Sequence, residues 1–163
     1  MNSLSGITNS SKKAKKTKTG NRLELFVENI LKEYGYVEFW NHKASAFANR
    51  KNIGGKQYMK HLNVGKTIYE TDRKVDFFIV NREKFPDGLI IECKWQQNPG
   101  SVDEKYPFLL LNIIKTAVPT VILLDGTGYK PAAKQWLKDQ VNHVLIGVWS
   151  MSEFQKETNN GFL

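Results

Sequence analysis

Residues 89–96, Leu-Ile-Ile-Glu-Cys-Lys-Trp-Gln, have the composition of a buried strand, yet they carry a carboxylate and an ammonium two positions apart. Side chains alternate between the two faces of a strand. Glu92 and Lys94 therefore share a face with Ile90 and Gln96, while Ile91, Cys93 and Trp95 take the other. Placing such charges in an apolar strand is costly unless they pair or bind a metal. A second apolar run, Val75 to Val80 within KVDFFIV, is interrupted only by Asp76. If the two runs are adjacent strands, Asp76 and Glu92 meet, their charges repel, and a hard divalent cation relieves the repulsion. The alternative is a half-exposed sheet face with an incidental Glu–Lys pair.

Working outward, NRLELFVENILKEYGY places Leu23, Phe26, Val27, Ile30 and Leu31 at helical spacing, with Gly35 as the stop. Residues 36–40 read as a short strand. Residues 41–66, rich in Lys and Asn and carrying Gly54, Gly55 and Gly65, read as an irregular basic insertion. The first central strand lies within residues 66–80, and Glu83 to Gly88 is a turn before the second, residues 89–95. Val102 to Ala117 reads as a helix, with Ser101 or Asp103 as its cap. Residues 121–124 form a strand, residues 131–140 a helix opened by Pro131, and residues 143–149 a last strand. Gly126-Thr127-Gly128 reads as a turn. The order α-β-β-β-α-β-α-β predicts an α/β (α+β) fold, a mixed sheet flanked by helices, in one domain spanning residues 20–163.

The chain has 163 residues and a formal net charge of +8, unevenly spread. Residues 1–22 hold six basic residues and no acid, and residues 42–74 hold eight against Glu70 and Asp72. Residues 1–19 read as a disordered basic arm, and a polyanion, most simply double-stranded DNA, is the expected partner. A solvated basic tail explains the charge equally well. Lys12, Lys13, Lys15 and Lys16 of the arm would grip phosphates, as would Lys56, Lys60 and Lys105. Arg50, Lys51 and Gln57 of the insertion have side chains able to reach base edges. Cys93 is the only cysteine, which excludes an internal disulfide and a Cys-based zinc site and suggests a reducing, cytoplasmic setting. No membrane association is expected, since no apolar run approaches spanning length and MNSLSGITNSSKK lacks an apolar leader.

Asp76, Glu92 and Lys94 suit phosphodiester hydrolysis. Carboxylates holding Mg²⁺, or Mn²⁺ in its place, would polarise a phosphoryl oxygen and activate water. Lys94 could orient or deprotonate that water and stabilise transition-state charge. Asp72, four residues before Asp76, is the second choice for the first carboxylate. His42, His61 and His143 have no metal-ligand spacing.

With Asp76 of VDFFIV, the Glu92-Cys93-Lys94 triplet and the helix-first order from about Gly20 to Trp149, the chain resembles the PD-(D/E)XK, or restriction-endonuclease-like, nuclease superfamily. The resemblance implies metal ligation by Asp76, Glu92 and the backbone carbonyl of Cys93, with Lys94 catalytic. It also implies an acid from the first helix. Glu24 is the better match, and Glu28 shares its face. Gln96, Lys105 and Tyr106 fill places that some members use beside the site. Val75 stands where the family name has proline. The implied activity is a Mg²⁺-dependent DNA endonuclease, restriction-like or homing, with a junction resolvase, a repair nuclease or a non-catalytic DNA-binding module as alternatives. Cutting both strands with one site per chain would favour a homodimer.

Overall fold

The computed structural model describes residues 20–40, 45–100 and 102–163. The basic arm, including Lys12, Lys13, Lys15 and Lys16, lies outside them, as do His42 and Ser101. The described elements are α1 (Gly20–Glu33), β1 (Val37–Glu38), β2 (Gln57–Lys66), β3 (Asp72–Asn81), β4 (Phe85–Trp95), α2 (Tyr106–Thr116), β5 (Thr120–Asp125), α3 (Pro131–Asp139), β6 (Leu145–Trp149) and α4 (Met151–Asn159). The strands form one six-stranded mixed sheet in sequence order. β2, β3 and β4 run antiparallel as a meander, whereas β4, β5 and β6 are parallel and joined by crossover helices α2 and α3. This is the α/β class expected from the sequence.

Helix α1 buries Leu23, Val27, Ile30 and Leu31 against Phe77, Ile79, Leu89 and Ile91 on one sheet face, and Phe154 of α4 joins them. The helix ends at Gly35, φ 81°. There the Gly35 amide donates to Lys32 and the Tyr36 amide to Leu31, a Schellman closure that only glycine adopts without strain. The opposite face is divided. Helices α2 and α3 cover Ile122, Leu124, Leu145 and Val148. Ala46, Phe47 and Ile53 cover Met59, Leu62, Val75, Phe78 and Ile90.

Two expectations are corrected. Residues 57–66 are not irregular: they form β2, paired along β3. Their period of two is hidden because Met59 and Leu62, three apart, pack into the same cluster, with His61 between them at φ 53°. Beyond the last expected strand, residues 151–159 form a further helix, α4. Its signal was Ser150-Met-Ser-Glu153, a capping box in which the Ser150 hydroxyl and the Glu153 carboxylate each accept the other residue's amide. The boundaries shift as well. The short first strand shrinks to Val37–Glu38, β4 begins at Phe85 inside the expected turn, and the helix after it opens with a 3-10 turn at Asp103–Lys105. Asp103 does not cap that helix. Its carboxylate accepts the Lys130 amide at the start of α3.

Candidate active site

The alternation of β4 holds as read. Leu89, Ile91, Cys93 and Trp95 pack on the α1 side, leaving Glu92 and Lys94 on the α2 side. The alternation of β3 does not hold. Val75 and Phe78, three apart, share a cluster while Phe77 lies on the other face, so the strand turns its faces over at Asp76. The β3–β4 ladder runs from Asn81↔Phe85 to Phe77↔Ile91 and stops there. One step beyond, the Asp76 carboxylate accepts the Cys93 amide at 2.7 Å, taking the place of a ladder carbonyl. The strands therefore part where the sequence puts its acids.

Lys94 joins them. Its Nζ lies 2.9 Å from Glu92 Oε2 and 3.4 Å from Asp76 Oδ2. Burial alone would lower the Lys94 pKa, but Glu92 and Asp76 outweigh it and hold the ammonium above its ordinary range. Lys94 is a cation here. The other Glu92 oxygen accepts from Arg73 Nη2 at 3.0 Å, in a pair whose side chains are each only 5% exposed. Arg73 also donates to the Thr116 hydroxyl on α2. In the sequence Arg73 stands out only as one of the basic residues of 42–74. Its signal was the spacing Arg73-Lys74-Val75, which sets it on the buried face beside Val75.

Glu24 and Glu28 part company. Glu28 is fully engaged: it takes Lys32 at 2.8 Å, Lys60 at 3.0 Å and the Tyr58 hydroxyl at 3.1 Å. Despite burial, these donors lower its pKa to about 2. Glu24 pairs with His61 at 3.6 Å. It is also close enough to Cys93 to raise that thiol's pKa, which burial raises most and to which Asp76 and Glu92 add. Cys93 keeps its thiol on the α1 face, so only its backbone borders the site.

Gln96 is buried and committed. Its amide donates to the Gly128 carbonyl at 3.0 Å and its oxygen accepts from the Tyr106 hydroxyl at 3.2 Å. Gly126 and Gly128 allow this contact: a Cβ on Gly126 would meet the Gln96 carbonyl at 2.2 Å. Gln96 thus positions the loop after β4. Lys105 is exposed and lines, with Arg73, Lys74, Glu92 and Lys94, a cleft of about 290 Å³ between β3 and α2. Asp72 sits on its rim, 2.6 Å from Lys66, and does not join Asp76.

Arg50, Lys51, Lys56 and Lys60 of the insertion lie elsewhere. Arg50 donates to the carbonyls of Asp87 and Phe47 and stacks over the Phe47 ring at 4.4 Å. Lys51 is 3.8 Å from Asp87. Asp87 is five residues before Glu92 on β4, so these side chains stand about 16 Å away, at the other end of the strand. Lys56 donates to the Tyr34 carbonyl, Lys60 pairs with Glu28 and Glu38, and Gln57 leaves a buried oxygen without a partner.

Asp76, Glu92 and the Cys93 carbonyl are hard oxygen donors, the kind that Mg²⁺ or Mn²⁺ prefers, and Asp76 engages protein donors through Oδ2 alone among the described residues. The donor set fits such an ion in kind. No group of three or more His, Cys, Asp or Glu side chains able to hold a metal occurs among the described residues, so a backbone carbonyl and water would complete the shell. No helix among them is long and apolar enough to cross a membrane. A family model described as a PD-(D/E)XK nuclease superfamily domain matches residues 15–162. Nucleases of this kind generally use divalent metals. No curated protein and no solved structure matches the chain.

Proposed function

The chain belongs to the PD-(D/E)XK nuclease superfamily, and from that premise we propose that it is a Mg²⁺-dependent DNA endonuclease acting through Asp76, Glu92 and Lys94. The observation that carries this reading is the single ammonium of Lys94 set between two carboxylates where the β3–β4 ladder opens. Asp76 and Glu92 would hold the ion with the Cys93 carbonyl, and Glu24 would act from α1. A bound divalent ion supplies a polarised phosphoryl oxygen and a more acidic water. Lys94 orients the attacking water and stabilises charge on the phosphate. Arg73 fixes Glu92 from behind. Net charge of +8 supports a nucleic-acid substrate.

A structure-selective reading is favoured over a sequence-specific one by the placement of Arg50 and Lys51 at the far end of β4. The test is incubation of the chain with plasmid and with branched or flapped DNA, in Mg²⁺ and in EDTA. Metal-dependent cutting of the branched or flapped DNA is expected. Discrete plasmid fragments would instead favour a sequence reader, and linear product without nicked intermediate would point to a homodimer. Binding without cutting in any metal would sink the nuclease reading.

A further inference from the structure

We propose that the cleft beside Glu92 and Lys94 receives one unpaired nucleotide of the DNA, its base against α2 and its phosphate toward Lys74 and Lys105. The inference rests on the nuclease reading above and adds the form of the substrate.

One wall of the cleft is apolar, built from Val102, Phe108 and Leu109, with Tyr106 behind them. The wall is held in place. Tyr69, on the turn between β2 and β3, stacks on Phe108 with ring centroids 5.0 Å apart and planes 25° from parallel. That turn is fastened to α2, because the Ile68 amide donates to Asn112 at 2.8 Å and Lys115 donates to the Thr67 carbonyl at 2.9 Å. The opposite wall is charged, and its charges are unequally matched. Glu92 is neutralised by Arg73 and Lys94, and Asp72 by Lys66. Lys74 on β3 and Lys105, on the turn that opens α2, form no ion pair among the described residues, which leaves the cleft a positive excess. A preformed apolar wall facing spare ammonium groups suits a flat, uncharged ring joined to an anion. A nucleotide is that ligand.

The volume, about 290 Å³, lies at the small end of ligand clefts, roughly 300 Å³ and upward. That size suits one nucleotide rather than a base pair, so the base it takes is unpaired or drawn out of the stack. Because Glu92 and Lys94 form the floor, the phosphodiester beside that base lies at the catalytic groups.

The experiment uses the full chain carrying Asp76→Asn, which blocks cutting without touching the cleft lining. Binding is measured to a duplex with one unpaired 2-aminopurine and to the same duplex fully paired. Tighter binding of the unpaired form, by about 10-fold, with a change in 2-aminopurine fluorescence, is expected. Adding Val102→Trp, which fills the cleft, should abolish the preference, and so should Lys74→Ala with Lys105→Ala, two exposed changes that spare the fold. Equal affinity for the two duplexes, or a preference that survives the lysine pair, overturns the proposal. The two readings separate cleanly. A chain that cuts DNA without this preference loses only the cleft assignment, whereas a chain that shows the preference but never cuts loses only the nuclease assignment.

Discussion

The sheet sets one lysine between two carboxylates at two places. Lys94 lies 2.9 Å from Glu92 and 3.4 Å from Asp76, and Lys60 lies 3.0 Å from Glu28 and 3.5 Å from Glu38. Each cluster has a second cation, Arg73 in the first and Lys32 in the second. Residue types and distances hardly distinguish them. Their surroundings do. The Lys60 cluster lies between α1 and the β1–β2 edge, where the Tyr58 hydroxyl completes the Glu28 shell. The Lys94 cluster lies where two strands part and opens onto a cleft lined by Lys74 and Lys105, which form no ion pair among the described residues. Two clusters of two cations and two carboxylates thus differ in what can reach them: one is closed between elements, and the other, which we propose is reactive, faces a cleft.

The largest effect expected from this contrast is on cutting. Asp76→Asn and Lys94→Ala should each reduce cleavage about 1,000-fold, the scale of removing a transition-state electrostatic group, while Glu28→Gln and Lys60→Ala stay within a few-fold of the native rate. Rates on one DNA substrate in Mg²⁺ check this, and equal losses from both clusters would erase the distinction.

Next comes stability. Arg73→Ala leaves Glu92 buried against Lys94 alone and should cost about 3–5 kcal/mol, read from denaturant unfolding. Were Asp76 and Glu92 alone together, neutralising one would relieve their repulsion and stabilise the metal-free chain. With Arg73 and Lys94 already in place that gain should be absent for Glu92→Gln, which instead leaves Arg73 without its carboxylate.

The Lys60 cluster has a pH signature. Glu28 has its pKa lowered from 4.5 to about 2 in the folded chain, so its stabilisation is full above about pH 4.5 and is lost as pH falls toward 2. Glu28→Gln should cost up to about 3 kcal/mol at pH 7. The gap between variant and native chains should close on acidification, followed by circular dichroism. A gap that stays constant to pH 2 would mean that Glu28 contributes through packing alone.

The smallest effect tests α1. Glu24→Gln should raise the Mg²⁺ concentration needed for half-maximal cutting by about 10-fold, as loss of a supporting group near a metal does, and Glu28→Gln should not. Paired metal titrations decide between them, and equal curves would leave Glu24 as a partner of His61 only.

The placing of Glu92 and Lys94 together was legible because it rests on periodicity, whereas Asp76 sits where β3 turns its faces over. Period two in β4 assigns Glu92 and Lys94 to one face whatever surrounds them, while only the family resemblance set Glu24 above Glu28 on α1. Strand β2 was hidden because its faces turn over near His61, and α4 was passed over although its capping box was written in residues 150–153.

The sequence by itself determined the class of the fold, the pairing of two acid-bearing strands and the face on which the lysine stands, since these follow from alternation and helical spacing. Only the tertiary structure decided that Arg73 reaches Glu92, that Arg50 and Lys51 stand near Asp87 at the other end of β4, and that the cleft has an apolar wall. Each depends on where β3 turns its faces over and on how the β2–β3 turn is fastened to α2. Those contacts join residues dozens of positions apart, Ile68 to Asn112 and Arg73 to Thr116, which no local pattern encodes.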